Sequence, residues 1–270
     1  MERGWTICLS ILACLLAVAI TTDVQHNHDR VKMGVVNHGC DDANFHALWD
    51  WDNRTTKDYL CQRDEDNLVV YESKPTRFCL PRDRNFPPPM HKCMNVNITY
   101  PDKPPVAGSH RPLWPMYGTY SYCPPQRWVH SLEHGAAVFL YHPCGDYKEI
   151  KKLKKTARSC LYRHVITPYK GLPAAKPYAV VTYGCRLMMS EVDVKAVKEF
   201  LVDKAIRGPE MTSKNGQYMH GLIKHAQIVE GSDKDDTKIC PSEEDEQPEK
   251  SNRREEKQKY NGVNLDDGIY

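Results

Sequence analysis

Residues 136–161 read AAVFLYHPCGDYKEIKKLKKTARSCL, and this stretch sets the fold class. Ala136 to Tyr141 is an apolar run of six that Pro143 stops. A run so short and so uniformly apolar suits a strand covered on both faces. From Tyr147 to Leu161 the pattern changes: Ile150, Leu153, Ala157 and Leu161 recur at steps of three and four, with lysines between them, which is the pattern of an amphipathic helix. A buried strand followed at once by such a helix predicts a helix packed on a sheet.

Toward the C-terminus, Tyr162 to Pro168 and Tyr178 to Tyr183 read as further strands, parted by Gly171 and Pro173. Ser190 then stands at a helix cap with Asp193 in a capping-box position. Val194, Val197, Phe200, Leu201 and Ala205 make the buried stripe, and Gly208-Pro209 ends it. The order strand, helix, strand, strand, helix predicts an α/β or α+β domain over residues 96–230, a small sheet carrying two amphipathic helices. Residues 231–270 hold twelve acidic and seven basic residues and few large apolar ones. Such a stretch cannot bury enough surface to offset its ordering entropy, so a disordered acidic tail is expected.

Toward the N-terminus, residues 20–95 are rich in His, Asp, Asn and Pro, with Phe45, Trp49, Trp51, Tyr59 and Phe78 in no sustained period. They predict a loop-dominated, cysteine-stapled region, with short strands at Leu68–Tyr71 and at Val96–Tyr100 on its border. Residues 1–19 join Arg3, an apolar run and small Ala17 and Ala19, as a secretory signal does. The run from Ile7 to Ile20 is shorter than the roughly 20 residues that cross a bilayer, and no later stretch reads as a span.

Without that leader nine cysteines remain, none spaced Cys-x-x-Cys. Their wide spacing argues against a zinc ribbon or redox pair and for structural disulfides in an oxidising compartment. Cys40, Cys61, Cys79, Cys93, Cys123, Cys144, Cys160 and Cys185 are the bridge candidates, and the first four can satisfy one another. Cys240, beyond the last convincing element, is the expected odd thiol. Asn53-Arg-Thr55 and Asn97-Ile-Thr99 are glycosylation acceptors that fit the same compartment.

With 37 basic and 35 acidic residues the chain carries +2, so it has no overall field to attract nucleic acid or anionic lipid. A charged partner would need a local patch. Lys148, Lys151, Lys152, Lys154, Lys155 and Arg158 on the first predicted helix offer one to a glycosaminoglycan or another anionic surface, or form that helix's solvated face. Trp114, Tyr117, Tyr120, Tyr122 and Trp128 read as packing for a layer short of aliphatic residues.

Polar chemistry concentrates in Trp128-Val-His130-Ser-Leu-Glu133-His134-Gly135. On a helix His130 and His134 share a face, with Glu133 beside them. This is the His-x-x-Glu-His spacing of inverted zinc peptidases, in which the imidazoles hold zinc and the carboxylate takes a proton from its water. Gly135 and the strand after it leave room for about two turns, short for that motif. A broader reading gathers His110, His130, Glu133, His134 and His142 into a ligand site or a divalent-metal cluster. The competing reading makes them a satisfied buried hydrogen-bond network.

Gly108-Ser-His110, Trp114, Tyr117-Gly118-Thr-Tyr120 and Arg127-Trp-Val-His-Ser-Leu-Glu-His-Gly135, leading into Ala136 to Cys144, resemble the hallmark of the tumour protein p53-inducible protein 13 family. Similar Gly-x-His and His-x-Leu-Glu-His-Gly elements occur in a bacterial domain family of unknown function. The resemblance spans about residues 104–211, through Pro168, Tyr183-Gly184 and Pro209-Glu210. It implies a secretory or membrane protein, with a vertebrate member described as a growth suppressor, and it brings no catalytic residue or cofactor. This chain lacks the second membrane span of the vertebrate form. The expected function is that of a secreted binding or growth-regulatory protein without demonstrated catalysis, acting on an extracellular protein or a glycosaminoglycan. The alternative is a metal-binding protein or metal-dependent hydrolase using His130, Glu133 and His134.

Overall fold

The computed structural model describes residues 31–241 apart from 45–47, 49, 53, 55, 63–67, 69 and 82–89. The expected signal at 1–19, Asn53, and the tail from residue 242 lie outside the described residues. The strands are β1 (Thr76–Cys79), β2 (Gly118–Tyr120), β3 (Ala137–Tyr141), β4 (His164–Pro168), β5 (Tyr178–Thr182), β6 (Cys185–Met189) and β7 (Leu222–His225). The helices are α1 (Pro125–Glu133), α2 (Tyr147–Cys160) and α3 (Val194–Lys204).

One mixed sheet of seven strands runs in the order β1-β6-β5-β3-β4-β2-β7. The apolar run identified first in the sequence is its centre: β3 pairs parallel with β4, as a crossover through α2 allows, and antiparallel with β5. Alternate side chains of a strand enter opposite layers. Val138 and Leu140 join Val165 and Val181 in a core closed by Trp128, Val129 and Leu132 of α1 and by Tyr117, Tyr120 and Tyr218. Ala137 and Phe139 join Ile166 and Val180 against Leu153 and Ala157 of α2 and Phe200 and Leu201 of α3. Two helices therefore cover one face, and α1 with irregular segments covers the other. The class is α+β.

Local chemistry accounts for most boundaries. Asp146 caps α2 by accepting from the backbone N–H of Lys148 and Glu149, and Asp193 caps α3 by accepting from Ala196. Asp193, not Ser190, is thus the cap. Ser190 directly follows β6, and its hydroxyl exchanges hydrogen bonds with the backbone of Ser73 instead. The strand β6, absent from the sequence reading, alternates buried Cys185, Leu187 and Met189 with less buried Arg186 and Met188. A turn at Tyr183-Gly184 joins it to β5, where Gly184 takes the positive φ of 73° that such tight hairpins favour. The strand expected at Val96–Tyr100 is irregular, as are residues 68, 70 and 71. The N-terminal region instead contributes β1, the edge strand beside β6.

Among the described residues there are four disulfides: Cys40–Cys93, Cys61–Cys144, Cys79–Cys185 and Cys160–Cys240. Two expectations fail here. The first four cysteines do not all satisfy one another: Cys40 and Cys93 pair, but Cys61 bonds Cys144, and Cys79 bonds Cys185, which β1 sets directly opposite it in the sheet register. The odd thiol is Cys123, not Cys240. Cys123 is fully buried, with its N–H bonded to Thr167 Oγ1, whereas the Cys240 N–H donates to the Cys160 carbonyl beside their bridge. Residues 231–241, expected as tail, belong to the fold. Buried Asp236 accepts from the N–H groups of Tyr162 and Arg163 and pairs with Arg163 Nε at 3.0 Å. The anchors of this segment are Asp235, Asp236 and the Cys160–Cys240 bridge, with Ile239 only partly buried, so no apolar stripe announces it. Among the described residues no helix is long and apolar enough to cross a membrane.

Candidate metal centre

Helix α1 begins with Pro125 at its first position, where the missing N–H loses no bond, and every residue from Gln126 to Glu133 is buried. Enclosed on all sides, it pairs its one arginine internally, Arg127 with Asp41 at 2.5 and 3.0 Å. Its last turn is held by the segment after α3. The Ile206 N–H donates to the Gly135 carbonyl and the Glu210 N–H to the Glu133 carbonyl, pairing groups that a helix end leaves open. Gly208 makes this approach feasible, since a Cβ there would lie 2.0 Å from the Glu133 carbonyl oxygen.

His130 and His134 sit one turn apart at the C-terminal end of α1, the end that favours positive charge. His110 comes from a short parallel bridge to His91, in which the Lys92 N–H donates to the His110 carbonyl and the His110 N–H to that of Met90. The rings meet: centroids lie 4.4 Å apart for His110 and His130, 4.9 Å from His91 to each of these, and 4.8 Å for His130 and His134. One ring nitrogen from each of His91, His110 and His130 lies within 4.8 Å of the others. Trp114 packs against His130 and His134 at 5.1 and 4.3 Å.

The hydrogen bonds settle which nitrogen faces inward. Nδ1 of His110 donates to the Gly108 carbonyl at 2.8 Å, that of His130 to Arg111 at 2.6 Å and that of His134 to Glu210 at 2.6 Å. A carbonyl only accepts, so Nδ1 carries the proton and Nε2 the lone pair. The His91 ring is hydrogen-bonded to the backbone of Val31. All four Nε2 atoms are buried without a hydrogen-bond partner among the described residues. Burial holds all four imidazoles below their usual pKa, His110 down to about 3. At neutral pH each is an uncharged donor ready for a cation. His110, His130 and His134 are 0% exposed, and His91 alone of the four keeps exposed atoms.

Glu133 completes the cluster, with Oε2 3.4 Å from His110 Nε2 and the side chain 1% exposed. Burial, and then the charge of Glu210, raise its carboxyl pKa to about 9. The contact has the separation of an ion pair, but both groups are driven to their neutral forms. It joins a carboxylic acid and an imidazole.

The structure therefore brings His110, His130, Glu133 and His134 together. It places His142 elsewhere, past the far end of β3, where Nδ1 accepts from the Cys144 N–H; about 16 Å of strand lies between that end and Gly135. His91 was missed. Its proximity comes from the bridge to His110, nineteen residues on, and no local period encodes that pairing. Of the basic residues on α2, Lys152 pairs with Glu149, Lys154 lies over the Tyr141 ring and Arg158 donates to Thr119 Oγ1, while Lys148, Lys151 and Lys155 are exposed. Asn97 is exposed. Trp114, Tyr117, Tyr120, Tyr122 and Trp128 are all core residues.

Fold and site define a disulfide-stapled α+β domain built around a buried histidine cage. Residues 91–217, somewhat under half of the chain, match a family described as Protein of unknown function (DUF3105). The matched span opens on His91 and encloses all four histidines, Glu133 and Glu210. No curated protein and no solved structure matches the chain.

Proposed function

We propose that this protein is an extracellular binding protein whose histidine cage holds a transition-metal ion. The observation that carries the reading is the set of four buried Nε2 atoms that have no hydrogen bond among the described residues. A structural hydrogen-bond network pairs donors with acceptors. Here the carbonyls on Nδ1 of His110, His130 and His134 make the inward nitrogens acceptors, which cannot bond one another, and the one acid proton, on Glu133, faces His110 and leaves the others without a donor. A cation relieves that arrangement, and an imidazole oriented through its other nitrogen is the usual support of a metal ligand. The donor type suits zinc, copper, nickel or iron and disfavours calcium and magnesium.

Enclosure of three of the histidines favours holding an ion over turning over a substrate, which needs an open coordination position. Four disulfides support an oxidising compartment. The growth-regulatory role implied by the resemblance to p53-inducible protein 13 is compatible with metal capture there. Elemental analysis of the purified full chain tests the reading. A stoichiometric metal lost on changing His130 and His134 to Ala supports it. Metal-free protein that neither takes up added zinc or copper nor keeps its fold after the same change returns the cluster to a structural role.

A further inference from the structure

We infer that the ion selected by this cage is monovalent copper, an inference that rests on the metal-centre reading and names its ligand. The first argument is the donor set. The three ring nitrogens that come within 4.8 Å of one another all belong to imidazoles, with His134 outside that triad against His130 and Trp114. Structural zinc takes four ligands and magnesium six, whereas the meeting point here is three nitrogens.

The second argument is charge. The tautomers fixed by the Gly108 and Arg111 carbonyls make His110 and His130 neutral ligands, so they contribute nothing to offset an ion's charge. The penalty for burying an ion grows as the square of its charge, so a dication in the same cavity pays roughly four times that of a monocation. A dication site normally supplies a carboxylate or thiolate. The nearest carboxyl, Glu133, reaches His110 Nε2 at 3.4 Å but is not among the atoms that meet at the triad. The three buried arginines nearby are committed, Arg111 to Asp50, Arg127 to Asp41 and Arg163 to Asp236. The unbridged Cys123 is packed in the core.

The third argument is reach. Metal–nitrogen bonds of about 2.0 Å in a trigonal plane put the donors roughly 3.5 Å apart, so the triad must contract on loading. His91, carried on a two-strand bridge rather than a helix and partly exposed, is the member able to move. Capture is a ligand exchange: Cu(I) leaves its carrier, three Cu–N bonds form, and no electron is transferred.

Full-length protein is titrated without oxygen with Cu(I) against the chelator bicinchoninate, and in parallel with Zn(II) against a chromophoric zinc chelator. The expected result is stoichiometric Cu(I) that zinc does not displace, with His91→Ala weakening Cu(I) by about 10-fold or more while the thermal transition of the metal-free protein persists. Preference for zinc, or uptake of copper only as Cu(II), overturns the copper inference and leaves the metal centre standing. Uptake of neither metal by a folded protein overturns both.

Discussion

His110 and Glu133 face each other with opposite debts to pH. The imidazole is held neutral in the fold down to about pH 3, against an ordinary value of 6.5, and His91, His130 and His134 shift in the same direction. Below about 6.5 the unfolded chain binds protons that the folded chain refuses, so this contribution is present above 6.5 and fades with acid. The carboxyl of Glu133 is protonated in the fold up to about 9 against an ordinary value of 4.5. Its contribution is complete below 4.5 and is lost as pH climbs toward 9. The metal-free protein should therefore lose thermal stability as pH falls from 6.5, where four imidazoles outweigh one carboxyl, and again as pH rises from 6.5 to 9. Glu133→Gln should flatten the alkaline limb and leave the acid limb in place. Melting temperature followed across pH in the presence of a chelator checks both, and an alkaline limb unchanged in the variant contradicts the assignment.

At the scale of elements, α1 departs from the usual surface helix. It has no solvated stripe, and its C-terminal turn is clamped by the segment from Ile206 to Glu210. The clamp passes through Gly208, where a methyl group would collide with the carbonyl oxygen of Glu133. Gly208→Ala should destabilise the protein by about 1 to 3 kcal/mol and weaken metal uptake, because His134 Nδ1 depends on the Glu210 carbonyl of the same segment. Val202→Ala on the exposed side of α3 is the control and should stay within about 0.5 kcal/mol. Urea unfolding measures both, and equal effects at the two positions contradict the clamp.

Across the whole molecule each disulfide joins one cysteine inside the matched span, Cys93, Cys144, Cys160 or Cys185, to one outside it, Cys40, Cys61, Cys79 or Cys240. The bridges fasten the flanks onto the core rather than bracing the core itself. The C-terminal fastening also reaches the site, because Arg163 bonds Asp236 on one side and the His134 carbonyl on the other. Replacing Cys160 and Cys240 together by Ala should lower stability by about 2 to 4 kcal/mol and weaken metal binding with it. In the native protein Cys123 should resist alkylation and react after unfolding, since burial keeps it as the thiol. Non-reducing peptide mapping reads both the pairing and the labelled residue. A label on Cys240 would falsify this connectivity.

The sequence alone determined the elements whose signal is periodic: the apolar run that became β3, the lysine-filled helix α2, the paired stripe of α3, and the one-turn spacing of His130 and His134. These follow from local geometry, in which residues on one face of a strand or helix recur at a fixed interval. Tertiary structure decided what depends on pairings between distant segments. It placed β1 on the sheet edge, exchanged Cys123 for Cys240 as the free thiol, brought residues 231–241 into the fold and set His91 beside His110. It also gathered the histidine rings and set which ring nitrogen meets a backbone carbonyl, a partner that lies 2 to 76 residues away in the chain.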